Sequence, residues 1–369
     1  MLKAISIENF RNLQKTRLDF SETVNIIVGD NGQGKTNLLE AIYLLAHGKS
    51  FRASKTQIIY WRADWAQIVG LTESDRIEIR LYRNQDNQAF INSKKKGLIS
   101  LLGRFVSAIF YPEEIGMING SPNGRRAWLD RLGSVINERY LHDLVSHQKA
   151  LANKNKILKS PLPDEDQIDI WNKNLVKVGI RIWRERLQII AEINRVLSTK
   201  SNKLVGHKIF LEYTNPLSVK KEPFTEEAYF KKLNSQRDLE RRSRVTLFGP
   251  HRDDFKIIKE EPEGNTILQK NLGSFGSRAE QRQAVILLGL AEAKVFTDYF
   301  GQAPVLILDD AGSELDKGNK ELLFEHLPAR QVFISTTSLD LLPKSLVVKA
   351  RVFIVKKGII KGYDSRSRS

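Results

Sequence analysis

The stretch GDNGQGKT, Gly29 to Thr36, constrains this chain more than any other. It matches G-x-x-x-x-G-K-[ST] in full, and it sits in the setting that pattern needs. The apolar run VNIIV ahead of it predicts a buried strand ending at Gly29. Behind it, NLLEAIYLLAHG has apolar residues at helical spacing and closes on Gly48. A strand, a glycine loop and a helix in that order build a phosphate cradle. The glycines let backbone N–H groups turn inward, where a Cβ would collide. The helix aims its positive N-terminal end at the same anion. Gly29, Asp30, Asn31, Gly32, Gln33, Gly34, Lys35 and Thr36 are the expected nucleotide-binding residues. Lys35 is expected to reach the β- and γ-phosphates, and the Thr36 hydroxyl to ligate Mg2+. A glycine-rich turn without a ligand is the plain alternative, and the flanking elements speak against it.

A phosphate loop of this kind needs an acidic second half, and VLILDD supplies one. Four apolar residues predict a strand, with Asp309 and Asp310 at its carboxyl end. The first acid in this position holds Mg2+, usually through water. The second is placed to act as a general base on the attacking water. Lys35 and Asp310 are therefore the candidate catalytic residues. Aspartate reaches less far than glutamate, so slow hydrolysis is expected. These two motifs alone allow a kinase, a helicase, a GTPase or an ABC-type ATPase. No NKxD-like guanine reader is visible, which disfavours GTP.

The two halves lie far apart in the chain, and the pattern between them changes. Up to about residue 110 the alternation is β-rich, as in RIEIRLY and QAFINS, with a turn expected at SKKKG. From GSPNGRRAWLD onward it is helical. One long amphipathic helix carries Trp171, Leu175, Val178, Ile182, Ile190, Ile193 and Leu197 near a single stripe. The last third returns to strands alternating with helices, which implies βαβ units and a mainly parallel sheet. The expected division is an ATPase part at 1–112, a helical insertion at 113–240 and a second ATPase part at 241–369. The 369 residues have room for this, and the tail DSRSRS is expected to fray.

Further stretches carry a resemblance. GSFGSRAEQRQAVILLGLAEA, just before VLILDD, looks like the ABC-type signature, with Ser277, Arg278, Ala279 and Glu280 in its four places. AGSELD resembles the D-loop, with Ser313 and Asp316. QVFISTTSLD resembles the switch strand, with Thr336 or Thr337 where many relatives carry histidine. NFRN, FYPEE followed by GSPNGRRAWLD, GPHRDD and LILDDAGSELD, in this order, resemble the RecF family of bacterial recombination-mediator ATPases. The resemblance covers both ends; between about 140 and 240 it rests on length and helical character. It departs at Ala279, where the signature usually has glycine.

That resemblance implies an α/β fold: an ABC-type P-loop ATPase head with a mixed sheet and an inserted, mainly helical lobe. It implies ATP and Mg2+ as cofactors and a nucleotide shared between two copies of the chain. GDNGQGKT would come from one copy and Ser277 from the other, so that ATP drives homodimerisation and weak hydrolysis acts as a release switch. It also implies gapped DNA, at a duplex beside a single strand, as the target. RecR with RecO would be partners, and RecA an indirect one, in recombinational repair and replication restart. The competing readings are a transporter ATPase, a head serving a nuclease or chromosome-organising complex, and a DNA-binding protein that no longer hydrolyses ATP.

Charge bears on the choice. Lysine and arginine number 59 against 43 acidic residues, a formal charge of +16. Such an excess favours a polyanion partner. Candidate DNA contacts are Lys94, Lys95 and Lys96, Arg125 and Arg126, the run Lys154, Lys156 and Lys159, and Arg241, Arg242 and Arg244. No reader helix or zinc module is visible, so phosphate contact is expected over base reading. The chain has no cysteine, which excludes disulfides, a thiol nucleophile and thiolate metal sites. MLKAISIENFRNL lacks the apolar core of a signal peptide, and the longest apolar runs are too short to span a bilayer. A cytoplasmic, nucleoid-associated location is expected.

Overall fold

VNIIV forms the strand Val24–Val28, whose first four residues are buried. A strand buried on both faces belongs inside a parallel sheet covered on each side. In the computed structural model its sheet has the order Ile359–Tyr363, Ala350–Lys356, Val24–Val28, Gln331–Thr336, Val305–Leu308, Ser107–Phe110. Neighbours run parallel except in the hairpin at 350–363. One strand therefore separates the P-loop strand from the VLIL strand, and their carboxyl ends share an edge. Ligands of open parallel sheets bind at that edge. The structure describes residues 1–53, 55–111, 115–214, 225–264, 266–310, 317–327 and 330–363.

A second six-stranded sheet, antiparallel throughout, runs Thr16–Asp19, Leu2–Glu8, Trp65–Thr72, Arg76–Tyr82, Gln88–Ile91, Lys94–Lys96. The helix Lys35–His47 packs against strands of both sheets. That position explains its sequence, because a helix covered on all sides is apolar all round. Leu38, Leu39, Ala41, Ile42, Leu44 and Leu45 are each fully buried. Gln331 stitches the sheets together. Its buried amide accepts from Leu2 N and donates to Leu2 O and Ser21 O, each at 2.8 Å.

These elements make up one compact unit, residues 1–114 with 285–369; residues 115–284 make up another. The second unit holds the helices Pro122–Ile136, Glu138–Leu158, Glu165–Val205, Glu226–Ser235 and Arg237–Ser243. Glu165–Val205 is the long helix read from the sequence, with Leu175, Ile182, Ile190, Ile193 and Leu197 buried. The unit continues past the boundary near 240 expected from the sequence. The reason is pairing: Lys208–Thr214 and Thr266–Asn271 flank Asp254–Glu263 in an antiparallel sheet that belongs to this unit.

GPHRDD is the polar centre of that unit. Asp253 is buried and accepts from Trp183 Nε1 at 2.7 Å, Arg186 Nη1 at 2.8 Å and the Tyr213 hydroxyl. Arg186 also donates to Pro250 O at 2.7 Å and to Asp130 at 2.8 Å. Asp254 receives both arms of Arg125, at 2.6 and 2.9 Å. Gly249 has φ 143°, and a Cβ there would meet the Tyr229 hydroxyl at 2.5 Å. Burial pushes Asp253 up to about 6, against the pull of Arg186 and its other donors.

Two local expectations shift. The turn placed at SKKKG falls at Asn92 and Ser93, both in left-handed backbone at φ 50° and 67°. Lys94–Lys96 instead form an edge strand in register with Ala89–Ile91. A two-residue hairpin of type I′ needs positive φ at both positions, and asparagine tolerates it well. The D-loop residues Ser313 and Asp316, the acids of FYPEE and the DSRSRS tail lie outside the described residues. Among the described residues no helix is long and apolar enough to cross a membrane.

Candidate nucleotide site

The P-loop closes on itself through Lys35. Its ammonium donates to Gly29 O at 2.7 Å, Asp30 O at 3.1 Å and Asn31 Oδ1 at 3.4 Å. Gly34 caps the helix at φ 118°, and a Cβ there would lie 2.9 Å from both Asn12 and Leu13. A side chain at Gly29 would strike Val355 O at 2.4 Å. Space requires glycine at both positions, and at Gly34 the backbone requires it as well. Asn31, Gly32, Gly34, Lys35, Thr36, Asn37, Arg52 and Asp310 line one cavity.

The two halves of the site meet at Thr36 and Asp309. The Thr36 hydroxyl donates to Asp309 Oδ1 at 3.0 Å. Ser335, on the strand between them, donates to the same oxygen at 2.6 Å and accepts from Asp310 N at 2.8 Å. Burial raises the Asp309 pKa, while the Ser335 and Thr36 hydrogen bonds and the charge of Arg52 oppose the rise. Asp310 holds left-handed backbone at φ 52°. That conformation costs an L-residue of order 1 kcal/mol or more. The bond from Asp310 N to Ser335 helps hold it there. Thr336 is buried with its hydroxyl donated to Ser338 O at 2.8 Å, whereas Thr337 is half-buried beyond the strand end.

Ser277 and Glu280 organise the start of the helix Arg278–Phe300. Glu280 N donates to Ser277 Oγ at 3.3 Å, and Ser277 N donates to Glu280 Oε2 at 2.7 Å. This is a capping box, in which each side chain satisfies the other's backbone donor. Lys259 bonds Glu280 at 2.7 Å. Burial pushes up the Glu280 pKa, but the Lys259 and Ser277 hydrogen bonds outweigh it and bring the value to about 2. Ser277, Arg278 and Ala279 remain exposed. Ala279 is within the helix and not at positive φ, so its backbone has no need of glycine.

The family described as the RecF/RecN/SMC N-terminal domain matches residues 1–361. The DNA replication and repair protein RecF of an Exiguobacterium species is 32% identical over 98% of each chain. RecF of Caldanaerobacter subterraneus subsp. tengcongensis is 34% identical over 91% of this chain and 94% of its own. The chain belongs to the RecF family. A solved structure described as the recombination mediator protein RecF-ATPrS in the RecFOR pathway superposes with a TM-score of 0.88 at 32% identity, covering 99% of this chain and 98% of its own. An Smc head bound to the C-terminal winged helix of ScpA shares the fold at 16% identity and a TM-score of 0.55, covering 98% and 97% of the two chains.

The NFRN stretch, quoted above only as part of the RecF family pattern, has a structural role. Asn12 donates to Gly32 O and Gln33 O at 3.4 Å and accepts from Asn37 at 2.6 Å. Arg11 grips Glu40 with two bonds of 2.9 Å. Glu40 is fully buried and also receives Arg52 at 3.1 Å and Ser50 at 2.5 Å. Burial pushes its pKa up, yet these hydrogen bonds and the two arginines bring it below the usual range. On the other side Gln33 Oε1 accepts from Lys357 N at 2.7 Å. Sequence reasoning missed Asn12, Glu40, Arg52 and Ser335 as site residues. The only available signal was an acid inside an otherwise apolar helix, at Glu40.

The basic candidates separate by burial. Arg125 is buried against Asp254, and Lys154 is fully buried 2.6 Å from Glu240, so neither faces a phosphate backbone. Arg126 donates to Asp253 O and Asn123 and is half-buried. Arg241 pairs with Glu165. Lys94, Lys95, Lys96, Lys156, Lys159, Arg242 and Arg244 are exposed.

Proposed function

We propose that the protein is an ATP-dependent DNA-binding protein of recombinational repair and replication restart that works as a homodimer on gapped DNA. The contact between Thr36 and Asp309 carries the reading, because it assembles both halves of a nucleotide site from distant motifs. When ATP binds, Lys35 lets go of its loop carbonyls for the phosphates, and the loop N–H groups take the β-phosphate. Thr36 and Asp309 offer hydroxyl and carboxylate oxygens, a donor set suited to Mg2+ together with phosphate oxygens and water. The ion, when bound, neutralises charge on the β- and γ-phosphates. Asp310 orients and deprotonates the attacking water, slowly, because its carboxylate stands one methylene back from where a glutamate would reach.

Ser277, Arg278 and the capped helix end complete the site of a second copy. A helix N-terminus facing the γ-phosphate stabilises charge that the first copy leaves exposed. ATP then favours the dimer by binding it better than it binds the monomers. Ser313, Asp316 and Thr337 are assigned to the same interface. The similar structure placed in the RecFOR pathway supports RecR with RecO as partners, and RecA is assigned as the protein ultimately loaded. Light scattering with ATP and a gapped duplex tests this reading. The expected result is a dimer that forms with ATP and is lost in Lys35→Ala. A monomer indifferent to nucleotide overturns it.

A further inference from the structure

The antiparallel sheet of the first unit buries one face and turns the other to solvent. The buried face is made of Ala66, Ile68, Ile77, Ile79, Leu81, Ala89 and Ile91, as alternation requires. The open face is polar by the same rule, with Gln67, Arg76, Glu78, Arg80, Gln88 and Lys95 on it, but aromatic rings are set among them. Trp65 pairs across the strands with Tyr82, and Phe90 with Lys95. Trp65 is 38% exposed; Tyr82 and Phe90 are half-buried. The Arg80 guanidinium lies 4.6 Å from the centre of the Phe90 ring. In the turn just before this sheet's third strand, Trp61 is 69% exposed with Arg62 stacked on it at 4.1 Å.

Charge on this face is one-sided. Arg76 and Arg80 share the single carboxylate of Glu78, at 2.6 and 2.7 Å. In the exposed edge strand Lys94–Lys96, Lys95 pairs with Phe90 on this face, while Lys94 and Lys96 pair with Ile91 and Ala89 on the opposite side of the sheet. A protein partner would be met by a broader apolar patch with fewer cations at its centre. Flat rings interleaved with cations suit a chain of bases and phosphates instead. Duplex bases already stack on one another and offer only their edges, whereas single-strand bases have free faces.

We propose that this face is a stacking platform for single-stranded nucleic acid, with bases on Trp65, Tyr82 and Phe90 and a phosphate on Lys95 at its edge. The proposal deepens the gapped-DNA reading and rests on it, since it assigns the single-strand side of the junction to this sheet.

Anisotropy of a labelled oligo(dT) of about 20 nucleotides, and separately of a blunt duplex, tests it on the full chain with ATP present. Trp65→Ala is expected to weaken oligo(dT) binding about tenfold or more, while Trp65→Phe restores most of it. Lys95→Gln is expected to reduce the slope of log affinity against log salt by about 0.7 for the single strand. Duplex binding and ATP-driven dimerisation should stay within about twofold of wild type in all three. Unchanged oligo(dT) binding in Trp65→Ala overturns the proposal. So does equal loss of duplex and oligo(dT) binding, or loss of dimerisation with oligo(dT) binding kept, which marks the face as a protein interface. Wild-type protein that binds duplex but not oligo(dT) also overturns it, and leaves the ATP-dependent dimer standing.

Discussion

Thr36 and Asp309 lie 273 positions apart in the chain, yet the hydroxyl of one donates to the carboxylate of the other over 3.0 Å. The contact brings together the two oxygen donors that the proposed function assigns to Mg2+. Thr36→Val keeps the volume and removes the oxygen. Its affinity for a fluorescent ATP analogue is predicted to fall on the order of tenfold with Mg2+ and to change little in EDTA. Equal loss under both conditions would assign Thr36 to packing.

Glu40 is the structural anchor of the site. It is fully buried between Arg11 and Arg52, so removing its charge leaves two guanidinium groups without their carboxylate. Glu40→Gln is predicted to cost roughly 2–4 kcal/mol of stability in urea denaturation, somewhat below the range for breaking a fully buried pair because both arginines are partly exposed. Glu40→Asp should recover part of it.

Acid should destabilise the protein through residues 115–284. His147 and His251 lie with ring centres 5.7 Å apart, and burial brings their pKa values down to about 3 and about 4. Neighbouring cations add to the drop, His251 and Arg186 at His147, and Arg252, Arg126 and Lys154 at His251, where the hydrogen bond to Thr246 O opposes it. Unfolding restores both to 6.5, so the unfolded chain holds two extra protons between about pH 6 and 4. Asp253 works the other way. Its pKa of about 6 falls to 3.8 on unfolding, so the native chain holds one extra proton in that window. The net of these three groups is one proton, and their joint contribution to stability should drop by about 1.4 kcal/mol per unit as pH falls from 6 to 4. His147→Gln should flatten that slope in urea titrations followed by circular dichroism.

Asp310 is predicted to limit the rate of hydrolysis by its reach. Asp310→Glu should raise the single-turnover rate of ATP cleavage severalfold, on the order of what repositioning a general base gives. Asp310→Asn should suppress it while ATP still binds. No gain in Asp310→Glu counts against the short-reach account.

Much of the site could be read from local spacing. GDNGQGKT and VLILDD each lie on one strand end, so their chemistry is visible in a few consecutive residues. The partners of those residues were not visible. Asn12, Glu40, Arg52 and Ser335 act through contacts set by the packing of the sheets, and no short motif encodes them. Ser277 and Glu280 were read as a signature; they also form a capping box, so the same two residues serve the helix. GPHRDD gave no chemical meaning in the sequence, because Asp253 finds Trp183, Arg186 and Tyr213 only after three elements pack together. The helical lobe was expected to end near 240, since the strand that begins at Asp254 has no sequence mark of pairing with Lys208–Thr214. Arg125 shows the limit of reading charge from composition: a basic pair in sequence became one buried structural cation and one half-buried neighbour.

Mixing two inactive variants tests the shared nucleotide site most directly. Lys35→Ala lacks a working phosphate loop, and Ser277→Ala lacks a working helix cap for its partner. In a mixed dimer one site collects both defects and the other collects none. Equimolar mixing should therefore return activity that neither variant has alone, up to about a quarter of wild type at protein concentrations that drive all copies into randomly paired dimers, half of them mixed with one good site of two. A mixture no more active than either variant alone contradicts the account.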